Sequence, residues 1–211
     1  MPRVILSSPD QKALLRLEPE PDGQWWTLHH AATQGRPAWY ASFGARTPVE
    51  TIAGFIDALT GPTALSAAEA DPYEPLLRAG WTPDQGASTL RSPDTTASVQ
   101  QLTGEGPWFV TVMLGESRPV WQARFGEHTP PHLITAFTAA LADPSPVART
   151  DPLSLPTRNP DLVTRTDRDV PAAQFASALE NRVRTLAARC AAPPATPRTP
   201  RHPPTNPGRA R

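Results

Sequence analysis

The stretch Arg36-Pro37-Ala38-Trp39-Tyr40-Ala41-Ser42-Phe43-Gly44-Ala45-Arg46-Thr47-Pro48 has a counterpart 82 positions later, Arg118-Pro119-Val120-Trp121-Gln122-Ala123-Arg124-Phe125-Gly126-Glu127-His128-Thr129-Pro130. The alignment continues without a gap to residue 61, opposite residue 143, and holds 12 identities in 26 positions. Two unrelated strand-and-helix segments do not match to this extent. The chain therefore contains an internal duplication, and the duplicated unit determines the fold.

A second pair of motifs marks where each copy begins. Ser8-Pro9-Asp10 matches Ser92-Pro93-Asp94 at an offset of 84, so the copies differ by two residues in one loop. We predict copy one over residues 1–62, a connector with a short helix over 63–86, and copy two over 87–143. A Pro-rich linker (144–170), an amphipathic helix (171–191) and a disordered basic tail (192–211) are predicted to follow.

Each copy predicts four antiparallel strands followed by a helix. Ser-Pro-Asp is typical of a tight turn, because Pro presets the backbone and Ser and Asp bind turn amides. Thr47-Pro48 and Thr129-Pro130 predict helix starts, with Thr as the N-cap and Pro at the first helical position. The predicted fold class is α+β, with two tandem ββββα repeats, each a four-stranded antiparallel sheet plus a helix, packed as a pseudo-twofold body.

Alternation in the fourth strand identifies the buried face. Since side chains in a strand point to opposite sides in turn, Trp39, Ala41 and Phe43 share one face. The helix that follows carries an apolar stripe that predicts packing on this face. We expect a core of Trp39, Phe43, Phe55, Leu59, Trp121, Phe125, Phe137 and Leu141.

Ser-Pro-Asp together with Pro-x-Trp-x-Ala-x-Phe-Gly-x-x-Thr-Pro resembles the SPDY-type domain of unknown function, a family of Streptomyces and related actinobacteria. Members commonly carry two copies, and residues 71–81 are similar to the segment between them. The resemblance covers residues 3–143. It implies a bacterial cytoplasmic protein, and it brings no activity, cofactor or catalytic residue.

Charge is distributed unevenly along the chain. Residues 1–144 carry nine basic and fifteen acidic side chains, whereas residues 145–211 carry eleven basic and five acidic ones. The tail contributes Arg198, Arg201, Arg209 and Arg211 without an acid. Such a tail is typical of contact with an acidic partner or nucleic acid, and contact with the chain's own acidic part is the alternative.

The sequence offers no set of residues for catalysis or metal binding. His29 and His30 are adjacent in a predicted strand and cannot chelate together, and Cys190 has no dependable histidine partner. We find no cluster with metal-ligand spacing, no Gly-rich phosphate loop and no membrane span. We therefore expect a cytoplasmic, non-enzymatic protein without metal or cofactor.

The strand faces turned away from the core supply the candidate site. We predict an interaction face of Arg16, Trp25, His29, Tyr40, Phe109, Gln122 and Arg124. Its expected partner is an unidentified protein or a second copy of the chain, which makes the chain an interaction scaffold. The alternative is single-stranded nucleic acid, with stacking on the aromatics. Whirly and PUR-type folds are similar in topology only, and the net acidic charge of residues 1–144 opposes nucleic acid.

The predicted amphipathic helix carries one apolar stripe. Phe175, Leu179, Val183, Leu186 and Cys190 follow at steps of 4, 4, 3 and 4 and form a narrow stripe. An isolated helix of this length is marginal in water. Docking on the chain itself, docking on an external partner and a free helix remain open alternatives.

Overall fold

A computed structural model describes residues 4–19, 23–61, 70–84, 88–102, 104, 106–114, 119–145, 164–167, 169–174, 176–177, 180–181 and 183–184. The chain divides into two compact units, residues 1–164 and 165–211. In the second unit, the described residues from 172 to 184 are helical and exposed. The stripe residues Phe175, Leu179, Leu186 and Cys190 lie outside the described residues.

The first unit contains both copies. Copy one forms β1 (Val4–Ser7), β2 (Ala13–Leu17), β3 (Gln24–His30), β4 (Trp39–Gly44) and α1 (Val49–Thr60). The connector forms α2 (Glu74–Arg78) and β5 (Thr82–Pro83). Copy two forms β6 (Thr89–Arg91), β7 (Ala97–Gln101), β8 (Trp108–Met113), β9 (Pro119–Phe125) and α3 (Pro131–Ala142).

The strands form one antiparallel sheet of nine strands in the order β1-β2-β3-β4-β9-β8-β7-β6-β5. The expectation of a separate four-stranded sheet in each copy is therefore wrong. The last strand of each copy is not an edge, because β4 and β9 pair with each other and join the two halves. Edge strands with free backbone groups are costly unless they are paired or protected, and this junction pairs both.

The junction pairs equivalent residues of the two copies. Ser42 lies opposite Arg124, its own counterpart in the repeat. On either side, Ala41 lies opposite Phe125 and Phe43 lies opposite Ala123. Both pairs therefore join the same two repeat positions, with the copies interchanged. An antiparallel pair with this register is symmetric about the Ser42–Arg124 position.

The helices α1 and α3 pack on each other, and their Phe55 and Phe137 pack on Phe43 and Phe125 of the sheet. Phe43, Phe55, Phe125 and Phe137 are all fully buried at the junction. The Phe43–Phe137 and Phe125–Phe55 rings stack with centroids 5.7 and 5.5 Å apart, and Phe43–Phe55 and Phe125–Phe137 meet edge-on at 5.7 and 5.2 Å. The two copies thus share one core, whose aromatic contacts repeat across the junction.

Most of the predicted core is buried. Trp39 and Trp121 join the four phenylalanines, and each packs edge-on against the Phe of its own helix. Leu59 and Leu141 are only half-buried, because they lie near the ends of α1 and α3.

The helix starts differ from the prediction. The N-cap residues are Pro48 and Pro130, and neither helix has a side-chain cap. The Thr129 hydroxyl instead donates a hydrogen bond to the Tyr40 carbonyl, at 2.9 Å, across the junction. Thr47 is buried, and its hydroxyl has no hydrogen-bond partner among the described residues. The hydrogen bond to the other copy, rather than capping, accounts for Thr129.

The Ser-Pro-Asp turns are as predicted, and the two are the same in detail. Ser8 Oγ donates to Asp10 Oδ1 at 2.6 Å and accepts from the Ala13 amide at 2.9 Å. Ser92, Asp94 and Ala97 repeat these bonds at the same distances. The turns place Gln11 and Thr95 in left-handed backbone, with φ of 57° and 62°.

Candidate interaction face

The face of the sheet turned away from α1 and α3 is called the open face below. Apart from the buried Ser42, the residues of its two rows named below are half-buried or exposed. One row of directly paired residues crosses eight strands on this face. In spatial order it comprises Ile5, Arg16, Thr27, Ser42, Arg124, Phe109, Gln100 and Thr89.

A second row lies beside the first. Leu14, His29 and Tyr40 pair in copy one, and their counterparts Ser98, Thr111 and Gln122 pair in copy two. Copy one therefore presents an imidazole and a phenol where copy two presents hydroxyl and amide groups. The core face of β4 and β9 keeps Trp, Ala and Phe in both copies, and Leu15 and Leu28 have the apolar counterparts Val99 and Val110, whereas the open face has diverged.

Arg124 lies at the centre of the open face. Its guanidinium carbon is 5.9 Å from the centre of the Phe109 ring, its direct cross-strand partner. A guanidinium nitrogen also lies 3.5 Å from the Gln122 side-chain oxygen. These contacts place the planar group beside Phe109 and Gln122 on the open face. No ion pair joins Arg124 to a carboxylate of the described residues.

The other two arginines of the open face are paired. Arg16 binds Glu18 and Arg91 binds Asp84, each with a nitrogen–oxygen distance of 2.7 Å. Both pairs are partly exposed, so they contribute little to stability, although they offset the positive charge locally. Arg124 is left as the main positive site on the open face.

A shallow groove of about 380 Å³ lies where β2, β3 and β4 meet the adjoining loops, and it opens widely to solvent. Leu14, His29 and Tyr40 line it from the open face, and His30 and Trp39 line it as well. The His30 ring is stacked on Trp39 with centroids 5.1 Å apart. His29 and Tyr40 form a looser pair, with centroids 6.4 Å apart. The groove offers flat aromatic surface for contact.

The histidines do not converge on one site. His29 and His30 lie on opposite faces of β3, since their partners Tyr40 and Trp39 alternate. Burial lowers the pKa of His132, and the positive charge of Arg36 lowers it further. Within the described parts of the chain, no three His, Cys, Asp or Glu side chains lie close enough to hold a metal ion.

Six of the seven residues of the predicted interaction face lie in the two rows of the open face. Trp25 is the exception, because it lies at the bulge where β3 and β4 change register, and it is half-buried. The predicted tail residues Arg198, Arg201, Arg209 and Arg211 lie outside the described residues.

Sequence reasoning missed two contributors to this face. Leu14 lines the groove, and Arg91 takes an open-face position opposite Ser98 in β7. Strand alternation around each position is the signal that identifies them. It was weak for Arg91 because β6 has only three residues.

The duplicated unit and its shared sheet define a class of α+β protein built from two fused repeats. The model of the family described as SPDY, domain of unknown function (DUF317), matches residues 7–65 and 91–147. The matches together include more than half of the chain, which belongs to this family. Neither the curated proteins nor the solved structures contain a match. Within the described residues, no helix has the length and apolar character needed to cross a membrane.

Proposed function

We propose that this protein is a non-enzymatic interaction module of the cytoplasm that binds a protein partner on the open face. The observation that carries the proposal is the residue composition and the exposure of the open face. It presents aromatic residues and an arginine at strand positions that are half-buried or exposed. Aromatic residues and arginine are enriched at protein interfaces and in their energetic centres.

The dimensions of the open face suit a protein partner. Its first row crosses eight strands, and with about 4.8 Å between strands it is roughly 34 Å wide. A surface of this width can accommodate an interface of ordinary size, about 800 Å² on each partner. The β-sheet backbone fixes the positions of its side chains, so little ordering is required on binding.

Arg124 indicates the chemistry of the partner. Its guanidinium is positioned by Phe109 and Gln122 and lacks a carboxylate among the described residues. A positioned guanidinium binds carboxylates through paired hydrogen bonds. The partner we expect therefore places an acidic residue over Arg124 and apolar side chains over Phe109 and the groove.

Single-stranded nucleic acid is the second candidate, and one observation favours it. The open-face positions of the strands include Tyr40, His29 and Phe109 but no Asp or Glu. Aromatic side chains can stack with bases. The pairing of Arg16 and Arg91 with carboxylates opposes this candidate, since nucleic-acid affinity depends on neutralising phosphates. We therefore rank a protein partner first.

The test compares two matched double variants of the full chain. Phe109→Ser with Arg124→Ser removes an aromatic residue and a cation from the open face. Arg46→Ser with Val49→Ser removes a cation and an apolar residue from exposed positions around the start of α1. Each variant and the wild type serve as bait in lysate of the source organism, with quantitative mass spectrometry of bound proteins. A partner retained by the wild type and the control variant, but lost from the open-face variant, supports the proposal.

Nucleic acid is tested separately by fluorescence anisotropy with single-stranded and duplex oligonucleotides at two salt concentrations. Tight, salt-sensitive binding that requires Phe109 and Arg124 would establish the second candidate instead. Retention of every bound protein by the open-face variant, with no oligonucleotide binding, would refute both.

A further inference from the structure

The two copies are not equally covered. Leu6 in β1 and Leu90 in β6 are equivalent residues, because each lies three residues before the proline of its Ser-Pro-Asp turn, Pro9 or Pro93. Leu90 is 6% exposed, whereas Leu6 is 58% exposed. Both point to the core face, because Leu6 pairs with Leu15 and Leu90 pairs with Val99. Copy one therefore exposes a core-face position that copy two buries.

The connector is what covers copy two. β5 pairs with β6, and α2 packs against α3. Leu76 of α2 is fully buried, and Trp81, between α2 and β5, is almost fully buried. Both belong to the same apolar cluster as Leu90.

Tyr73 anchors this connector to copy two. Its ring lies against Trp108 with centroids 4.7 Å apart. Its hydroxyl donates to the Ser88 carbonyl at 2.7 Å and accepts from the Gln101 amide at 3.2 Å. The connector is therefore held on copy two by Tyr73, Leu76 and Trp81 and by the pairing of β5 with β6.

Copy one has an apolar surface equivalent to the one that the connector covers in copy two. Within the described residues of the first unit, no helix or strand takes the place of α2 and β5 beside β1, which lies at the end of the sheet. Val4 and Leu6 are exposed there. Leu15, Trp26 and Ile56 are only half-buried. We call Val4, Leu6, Leu15, Trp26 and Ile56 the bare seat.

We propose that the bare seat binds a partner segment that has the chemistry of the connector: a short amphipathic helix, then an aromatic residue, then an extended strand that pairs with β1. The equivalent surface of copy two is occupied by a segment of this kind. A strand at the end of a sheet accepts a further strand through backbone hydrogen bonds, and side-chain pockets give specificity.

One difference between the two equivalent surfaces indicates how the partner segment should differ from the connector. Thr138 of α3 donates a hydrogen bond to the Pro72 carbonyl at 2.8 Å, which fixes the start of the connector. Its equivalent in α1 is Ile56, which has no hydroxyl group. The segment bound by copy one should place an apolar side chain at this point, where the connector places a carbonyl group.

The probe is a labelled synthetic peptide of residues 70–84, which contains the described part of the connector with α2, Trp81 and β5. We expect saturable binding to the full chain in fluorescence anisotropy. A peptide with Leu76→Asp and Trp81→Ala should bind at least about tenfold more weakly, since it loses both buried anchors.

Two variants of the full chain locate the binding. Leu6→Glu places a charge in the bare seat and should weaken peptide binding at least about tenfold, because a carboxylate opposes apolar contact. Ile5→Glu places the same charge on the same strand but on the opposite face, since Ile5 pairs with Arg16. It should leave the affinity unchanged. Both positions are more than half exposed, so both variants should fold.

Three outcomes would overturn the proposal. The first is no saturable binding of the peptide, and the second is equal binding to the wild type and the Leu6→Glu variant. The third is a concentration-dependent dimer in sedimentation velocity that Leu6→Glu abolishes, because the bare seat would then be covered by a second copy of the chain. Retained peptide binding by the Phe109→Ser/Arg124→Ser variant would show that the seat and the open face are separate.

Discussion

Gly54 of α1 and Ala136 of α3 are equivalent residues of the two copies, and they lie directly against each other. A Cβ atom placed on Gly54 would be 3.2 Å from the Ala136 carbonyl oxygen and 3.1 Å from the Cβ of Ala140. The two helices therefore approach each other closely at this point. The close approach allows the four central phenylalanines to pack under both helices.

Replacement of Gly54 by Leu should destabilise the protein by about 1–3 kcal/mol, the usual cost of overpacking. Gly54→Ala is the graded control. Its tight contact is offset by a helix-propensity gain of about 0.8–1 kcal/mol, so its free energy of unfolding should change little. Urea unfolding measures both. A Leu variant as stable as the wild type would contradict the close helix contact.

Trp39→Ala and Trp121→Ala should each lower the free energy of unfolding by about 3–5 kcal/mol, because each opens a cavity under its helix. Tyr40→Ala is the matched control on the same strand. Tyr40 is 40% exposed on the open face, so its truncation should cost roughly 1 kcal/mol. Equal losses for Trp39 and Tyr40 would be inconsistent with the assignment of the two faces.

Thr95→Gly should stabilise the protein by about 0.5–1 kcal/mol. Thr95 is exposed with a φ of 62°, and left-handed backbone costs a residue other than glycine about 1–2 kcal/mol. Part of this stabilisation is lost because glycine has more conformational freedom in the unfolded chain. The control is Thr96→Gly, which should destabilise, because Thr96 donates through its hydroxyl to Asp94. Thermal unfolding of the two variants should move in opposite directions.

The pH dependence of stability should respond to Asp94→Asn. Burial raises the pKa of Asp94, but hydrogen bonds from Ser92 and Thr96 lower it by more, so it lies below its ordinary value. The stabilisation is therefore fully present above the unfolded-state pKa and is lost as the pH falls through the folded-state pKa. Urea unfolding at about pH 7 and about pH 3 should show a smaller loss for the variant than for the wild type. An identical loss would mean that Asp94 is not favoured in its charged form.

The two copies should unfold together. They share the β4–β9 junction and one aromatic cluster, so neither has a separate core. Tryptophan fluorescence and circular dichroism should give coincident urea transitions, and Trp121→Ala should shift the entire transition. Two resolved steps, with only one affected by Trp121→Ala, would show that the copies are independent.

The strands and helices could be predicted from the sequence because the pattern of each one occurs twice in the chain. Alternation placed Trp39, Ala41 and Phe43 in the core, and the structure buries all three. The joining of the copies into one sheet was not predictable in the same way. Backbone hydrogen bonds between β4 and β9 depend on strand edges, and edges leave little trace in a side-chain pattern. Gly126 is a partial signal, since a Cβ there would be 2.9 Å from the Tyr40 ring.

The candidate site was predictable as a face but not as a set of contacts. Alternation brought Tyr40, Gln122 and Arg124 to one side of the sheet. It could not show that Arg124 lies over Phe109, because the register between β8 and β9 shifts at an irregularity between Val112 and Met113. The uneven cover of Leu6 and Leu90 was also hidden, since the two residues are identical in sequence.

The Ser42–Arg124 pairing has a consequence for how copies recognise each other. A single repeat with this register is complementary to itself, so two identical repeats could pair as a homodimer. Copy two paired with itself would set two arginines directly opposite each other, and like charges in that position are destabilising. Serine opposite arginine carries no such penalty. The difference at this one position therefore favours the pairing of β4 with β9 within one chain over the pairing of β9 with the β9 strand of a second chain.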